Sequence, residues 1–499
     1  MKKTYLGLTA AAVLSALGIL TWLWGAQFFH YLWSILRVGM VPALILIGVG
    51  TSATVFFWRR VQYSEDRAIA VGVSWVVALV LAVGVAIPLS GYMAPARYNE
   101  VVETQSAEEL DFRQRVPHDV ATAMSDRNLG ATTGDAVGQV RAIPAAGDHG
   151  SYTTAVVRRG WLKGYESVQT LTPPNYGTPG AQDVEFCEFS PDAKLRLGGG
   201  APSNNLGRAI MWRTSPSTLV DPKDALFNCE DGVPMVYVPL TKLDGSILLP
   251  IRVPAGVAVY NGQTGELDIH EEFESDLPLY PQSVTENQRE ALTRSGSFAD
   301  WLFGRSGYED TSVDAEDPNG DNRAEFALAD GSGMNQYHVT PLTPRGASSS
   351  IIALGTLQSD GTIRSGELRP YMVSTYEEAA RQANSATADR ITGEVLSGYM
   401  ASGLRVFEVV PSENGTWTAT VGKEQAVLYR AIISSDGKVD LRDANGRPVG
   451  TSSTSEDGGS DAGSVIDAGK PVDQMTNEEL TDLADQILSE LAQRADSTE

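Results

Sequence analysis

Residues 68–88 read Ala-Ile-Ala-Val-Gly-Val-Ser-Trp-Val-Val-Ala-Leu-Val-Leu-Ala-Val-Gly-Val-Ala-Ile-Pro, without one Asp, Glu, Lys or Arg. A helix needs about 20 such residues to cross a bilayer. Two similar stretches come first, at about residues 5–25 and 38–57, and they too lack acidic and basic side chains. The sequence therefore predicts a transmembrane region over residues 1–95 with three helices. Lys2 and Lys3 precede the first apolar run, as in a signal peptide. That run exceeds the roughly 7–15 residues of a signal-peptide core, and two more spans follow, so an uncleaved helix is expected.

Basic residues flanking apolar spans set orientation. An inside N terminus puts Lys2, Lys3, Arg59, Arg60 and Arg67 on the cytoplasmic side, against Arg37 and Arg97 outside. The expected localisation is a multi-pass cell-membrane protein, N terminus cytoplasmic, with everything after about residue 90 extracytoplasmic. Trp22, Trp24, Phe28, Tyr31 and Trp33 at the outer turn fit this register, as do Phe56, Trp58 and Tyr63 at the inner end of the second span. Aromatic rings of this kind favour the headgroup layer. Small residues recur at helical spacing: Gly7, Ala11 and Ser15 in the first span, and Ser74, Ala78, Ala82 and Ala86 in the third. Such stripes let helices approach closely, within the chain or against another membrane protein. No ionisable group lies at depth, so a transport pathway through these helices is not expected.

The rest of the chain is acidic. Six of the 38 basic residues and two of the 62 acidic ones precede residue 96, which leaves a net charge of −28 beyond it. Such a surface repels nucleic acid and anionic headgroups, so nucleic acid is excluded as a partner. The bilayer, envelope or membrane proteins, and self-association are the partners expected.

Beyond the spans, residues 96–150 read as a juxtamembrane stalk, with Glu100 to Arg115 helical in composition and Pro117 ending the segment. A β texture begins near Thr153. Three strand–turn–strand pieces carry explicit turn residues: Ile251 to Val259 with Asn261-Gly262, Ile351 to Leu357 with Asp360-Gly361, and Val427 to Ile433 with Asp436-Gly437. Helical composition recurs at Thr285 to Thr293 and Thr375 to Val395. The expected fold is a large extracytoplasmic α+β region, β-rich, in two lobes at 151–290 and 291–449. Residues 450–473 are mostly Gly, Ser, Thr, Asp and Ala, a flexible linker. Residues 474–494 then read as an amphipathic helix. Leu480, Leu483, Ile487, Leu488 and Leu491 lie on one face, and Thr476 and Glu479 have capping-box spacing. This helix folds back on the chain, docks in a partner's groove, or self-associates.

Chemistry is harder to find. Cys187 and Cys229 are the only cysteines; an even count in an oxidising compartment favours a disulfide over two buried thiols. His30, His118, His149, His270 and His338 form no ligand pattern. Gly198-Gly199-Gly200 lacks the Lys and Ser or Thr of a phosphate loop, and no Gly-x-Ser-x-Gly elbow occurs. Asp314, Asp317, Asn319 and Asp321 offer oxygen ligands of the kind Ca²⁺ takes. Setting Gly320 at the sixth loop position puts Ala315 at the first and Phe326 at the twelfth, so the EF-hand pattern fails and a solvated acidic loop is the plainer reading. No cofactor and no catalytic residue is predicted. The function expected is a non-enzymatic scaffold or subunit of a bacterial-type envelope, transport or secretion assembly. The alternatives are a carboxylate-dependent hydrolase and a solute-binding accessory protein.

Overall fold

The structure is a computed structural model. It describes residues 9, 11–20, 44, 47–56, 58–60, 64–107, 110–129, 134–144, 150–158, 164–173, 183–198, 204–215, 217–246, 249–310, 326–345, 351–376, 404–412, 416–423, 426–434, 438–444 and 446–449. The chain divides into two compact units, Met1–Arg447 and Pro448–Glu499.

The membrane reading is corrected first. Among the described residues, no helix is long and apolar enough to cross a membrane. The third stretch belongs to helix α1, Ser64–Asn99, which does not stop at Pro88. Its last turns carry Ala94 and Tyr98, which pack against Ile251, Val253 and Ala291 of the folded body. Docking of that end holds the helix past a residue that removes one of its hydrogen bonds. The three-span architecture, the membrane keywords and the multi-pass localisation with a cytoplasmic N terminus and an extracytoplasmic body are not supported.

Among the described residues the remainder is β-rich, with four larger sheets in a propeller-like arrangement in place of the expected α+β lobes. Strands β2 (Gly134–Ile143), β3 (Ser151–Arg158), β4 (Tyr165–Thr172) and β5 (Asp183–Glu188) form an antiparallel meander. The next sheet has the order β10 (Leu267–His270), β9 (Leu249–Asn261), β8 (Val233–Ser246), β6 (Thr218–Val220), with β7 (Leu226–Glu230) also on β8. A third combines β1 (Val102–Ser106), β17 (Tyr371–Thr375), β15 (Ala353–Gln358), β14 (Gln336–Pro344) and β12 (Tyr308–Asp310), with β13 (Phe326–Ala329) also on β14. The fourth is the meander β18 (Arg405–Pro411), β19 (Trp417–Lys423), β20 (Ala426–Ile433), β21 (Val439–Asp443). A short pair joins β11 (Glu272–Phe273) to β16 (Ile363–Arg364).

Strand periodicity explains how the sheets stack. Along β8, Val236, Val238 and Leu240 point to a core shared with Ala155, Val157 and Val168 of the first meander. Tyr237, between them, faces the other way, into a core with Val257, Leu279 and Ile363. Side chains alternate faces along a strand, so this sheet is buried on both sides and its central strand is apolar almost throughout. Helix α2 (His118–Asn128) covers the opposite face of the first meander: Val120, Ala121 and Met124 pack on Val140, Tyr152 and Leu171, with Phe407 and Val427 of the fourth sheet. Helix α4 (Gln282–Ala291) covers the third sheet, where Tyr280 and Val284 meet Leu342, Leu357 and Tyr371. Helix α3 (Leu206–Arg213) buries Leu206 and Ile210 in the first core.

Two local expectations change. The segment after α1 is a strand, β1, paired in parallel with β17, where helical composition pointed to a stalk helix. The turn at Asp360-Gly361 does not close a hairpin, because β15 pairs with β14 and β17 while β16 pairs with β11.

Candidate functional site

Among the described residues, three places bring polar or reactive side chains together. The first lies where the first, third and fourth sheets converge. Residues 110–116 run beside β13: Phe112 bridges Asp330, the Arg113 amide donates to the Ala329 carbonyl at 2.9 Å, and Arg115 Nε donates to the Ala327 carbonyl at 2.6 Å. The Arg115 guanidinium meets Glu408 of β18 at 2.9 and 3.2 Å, with side-chain exposures of 9% and 6%. It also donates to the Val116 carbonyl at 3.1 Å, the carbonyl to which the Tyr152 hydroxyl donates. Burial, the largest influence, would lower the Arg115 pKa, but Glu408 and Tyr152, through charge and hydrogen bonds together, outweigh it and the group is held more firmly protonated. Burial raises the Tyr152 pKa. The adjoining cavity, about 30 Å³ and lined by Arg113, Gln114, Arg115 and Gln336 among others, is the size of one water. No substrate fits there, and a neutralised Arg–Glu pair at 2.9 Å has neither a nucleophile nor a poised base. Its role is to join sheets.

The second place is the disulfide. Cys187 of β5 and Cys229 of β7 are bonded, with Cα atoms 5.9 Å apart, stapling two sheets that share a core. Glu185 Oε1 lies 3.9 Å from Cys187 Sγ. These three residues are the described group whose donor atoms stand close enough for a metal. With both sulfurs bonded to each other, only the carboxylate remains as a ligand.

The third place surrounds the carboxyl-terminal end of α1. A cavity of about 660 Å³ is lined by Tyr98, Pro250, Arg252, Asn287, Glu290 and Arg294, among others. The Tyr98 hydroxyl donates to the Arg252 carbonyl at 2.9 Å and accepts from its amide at 2.8 Å. Burial pushes Tyr98 up to about 12. Arg252 is engaged by Thr241 Oγ1 at 2.8 Å and Asp221 at 3.6 Å. Beside the cavity, Tyr92 of α1, and Phe298 and Trp301 of helix α5 (Phe298–Leu302), form a ring cluster with centroids 5.3–5.6 Å apart. The Arg294 guanidinium stacks on Trp301 at 5.8 Å, and Arg305 on Phe303 at 5.2 Å. Partial burial, together with nearby Arg345, lowers the Arg294 pKa, and Glu290 opposes that. Gly296 allows the turn into α5, since its φ of +118° is closed to most residues and its carbonyl accepts from the Tyr92 hydroxyl at 2.7 Å.

The residues singled out in sequence meet different fates. Ser74 and Ala78 are buried. Their neighbour Trp75 donates to Thr54 Oγ1 at 3.2 Å and lies where a Cβ on Gly50 would collide at 2.7 Å, so this stripe packs within the chain. Ala11 and Ser15 are exposed. Gly7, the side chains of Ala82 and Ala86, the Ca²⁺ candidates Asp314, Asp317, Asn319 and Asp321, and the helix face Leu480, Leu483, Ile487, Leu488 and Leu491 lie outside the described residues. The aromatic cluster went unread, although Phe298, Trp301, Leu302 and Phe303 sit within six residues between Arg294 and Arg305. No protein-family model, curated protein or solved structure matches the chain.

Proposed function

We propose that the chain is a non-enzymatic structural subunit, a scaffold that joins other protein chains through the apolar faces of its N-terminal helices. One observation supports this most. Along α1, Ile69, Val73, Val76, Val77, Leu79 and Val80 are exposed, Val76 at 61% and Val80 at 64%. One side of that helix is already used by Trp75 and its neighbours. A helix with large apolar side chains on its remaining faces is buried in its working state, and contiguous apolar patches of this kind mark association surfaces. Among the described residues the hydrolase alternative draws no support from these two cavities: the larger carries one carboxylate, Glu290, and the smaller carries none.

The test is a triple substitution on that face, Val73→Glu, Val76→Glu and Val80→Glu. These side chains touch little within the chain, so the β-rich body should fold unchanged. The unmodified chain is expected to purify as a complex of defined mass greater than one chain, and the variant to lose it. Purification of both as single chains, with identical crosslinks in intact cells, would sink the proposal.

A further inference from the structure

We propose that Cys187, Cys229 and Glu185 form a redox-gated site for a thiophilic divalent cation of the zinc type. Oxidised, the two sulfurs hold each other; reduced, they hold the metal together with the carboxylate. This site is separate from the helix faces used for assembly.

The fold, and not the disulfide alone, sets the geometry. Residues two apart along a strand share a face, so β5 presents Glu185 and Cys187 to one side, where Cys229 of β7 meets them. Each strand is tied to its own sheet: Cys187 stands opposite Val168 of β4, and Cys229 opposite Pro234 of β8. Tyr165 braces both strands. Its ring packs on Phe189 and Phe227, each two residues from a cysteine, with centroids 5.4 and 5.2 Å away. The 5.9 Å approach of the two Cα atoms therefore rests on packing as well as on the S–S bond.

The distances suit zinc. With Zn–S about 2.3 Å and Zn–O about 2.1 Å, a tetrahedral ion sets a sulfur and a carboxylate oxygen about 3.6 Å apart, and two sulfurs about 3.8 Å apart. Glu185 Oε1 already lies 3.9 Å from Cys187 Sγ, and all three donor atoms lie within 4.8 Å of one another. Rotation about the Cα–Cβ bonds parts the sulfurs once their bond is reduced. Among the described residues Glu185 has no ion pair, and a disulfide sulfur has no proton to donate to it, so the carboxylate is uncommitted there. Thiolates select soft cations over calcium and magnesium. Cys187 is 3% exposed while Glu185 is open to solvent, so the metal enters from the Glu185 side, where water supplies the fourth ligand. The chain's net charge of −24 favours the approach of a cation.

The exchange balances. A dithiol reductant gives two electrons and two protons to the S–S bond and becomes a cyclic disulfide; zinc then displaces the two thiol protons. Reoxidation of the thiolates by a disulfide removes two electrons, reforms the bond and releases the metal.

The test takes the full chain, reduced with a dithiol that is then removed under argon, and titrates it with cadmium, whose bond to thiolate absorbs in the ultraviolet. One ion per chain is expected to bind with that band, and none to give it with the oxidised chain. Glu185→Gln should weaken the affinity about tenfold or more. Glu188→Gln, also exposed on β5 but on its opposite face, should change nothing. Zinc should raise the unfolding midpoint of the reduced chain, and restore its near-ultraviolet circular dichroism if reduction alone unfolds it. The proposal is overturned by the absence of the band, by one ion shared between two chains, by equal affinity of Glu185→Gln and the unmodified chain, by equal weakening in Glu188→Gln, or by a reduced chain that zinc neither stabilises nor refolds.

Discussion

Arg115 and Arg294 carry the same side chain into opposite settings. Arg115 is enclosed by three sheets, meets Glu408 at 2.9 Å and spends its remaining donors on carbonyls and Tyr152. Arg294 lies over the Trp301 ring with Arg345 nearby, at the edge of an open cavity. The first has every guanidinium nitrogen bonded from within. The second is held over a ring, with Glu290 as a nearby carboxylate. The difference separates a residue that keeps the fold together from one at the edge of a cavity, and the association proposed for this chain draws on open surface of the second kind, along α1.

The sharpest way to break the comparison is to remove Glu408. Glu408→Ala leaves a buried guanidinium without its counter-charge and should cost about 3–5 kcal/mol in urea unfolding. The double variant Arg115→Met/Glu408→Ala should recover much of that loss; an unchanged midpoint for Glu408→Ala would show that the centre bears no load. Removing the staple should come next: Cys187→Ala/Cys229→Ala is expected to lose about 2–4 kcal/mol, read by the same titration. On the outward side, Trp301→Ala should cost only about 1 kcal/mol of stability in the same titration, the scale of its ring pairs. A loss of about 3 kcal/mol or more, the scale of a buried core tryptophan, would make the cluster part of the core after all.

The smallest effect is a pH dependence at Asp330. Its burial favours the neutral form, but hydrogen bonds from Ser332, Asn335 and Met334 to the carboxylate outweigh this and hold its pKa below the ordinary 3.8. A depressed carboxylate pKa contributes stability above its unfolded value and loses it as pH falls through the folded one. Asp330→Asn should therefore be less stable than the unmodified chain at pH 7, and the gap should close below the ordinary carboxylate range. Thermal melts at both ends of that range measure it.

Legibility followed sequence distance. The turn residues Asn261 and Gly262 announced the β9–β10 hairpin, and β20–β21 was equally plain, because each pairing is closed within a few residues. Asp231-Gly232, both at positive φ, carried the same signal for β7–β8 and could have been read. Asp360-Gly361 turned the chain as expected yet did not name its partner strand, since a turn fixes direction and not pairing. Arg115 and Glu408 stand 293 positions apart, and nothing local to either marks the other. Residues 68–88 misled for a related reason: apolarity registers what a segment avoids, water, without telling what meets it. Ser74 and Ala78 meet the chain itself, and the end of the same helix meets the β-rich body.

The most direct test is a unique thiol on the exposed face of α1. Val76→Cys, probed with a short bifunctional crosslinker in intact cells, should give one reproducible adduct with a protein partner or a second copy, absent when the thiol is placed at Trp212 instead. No adduct from position 76, or the same adducts from both positions, would contradict a function that resides on that helix face.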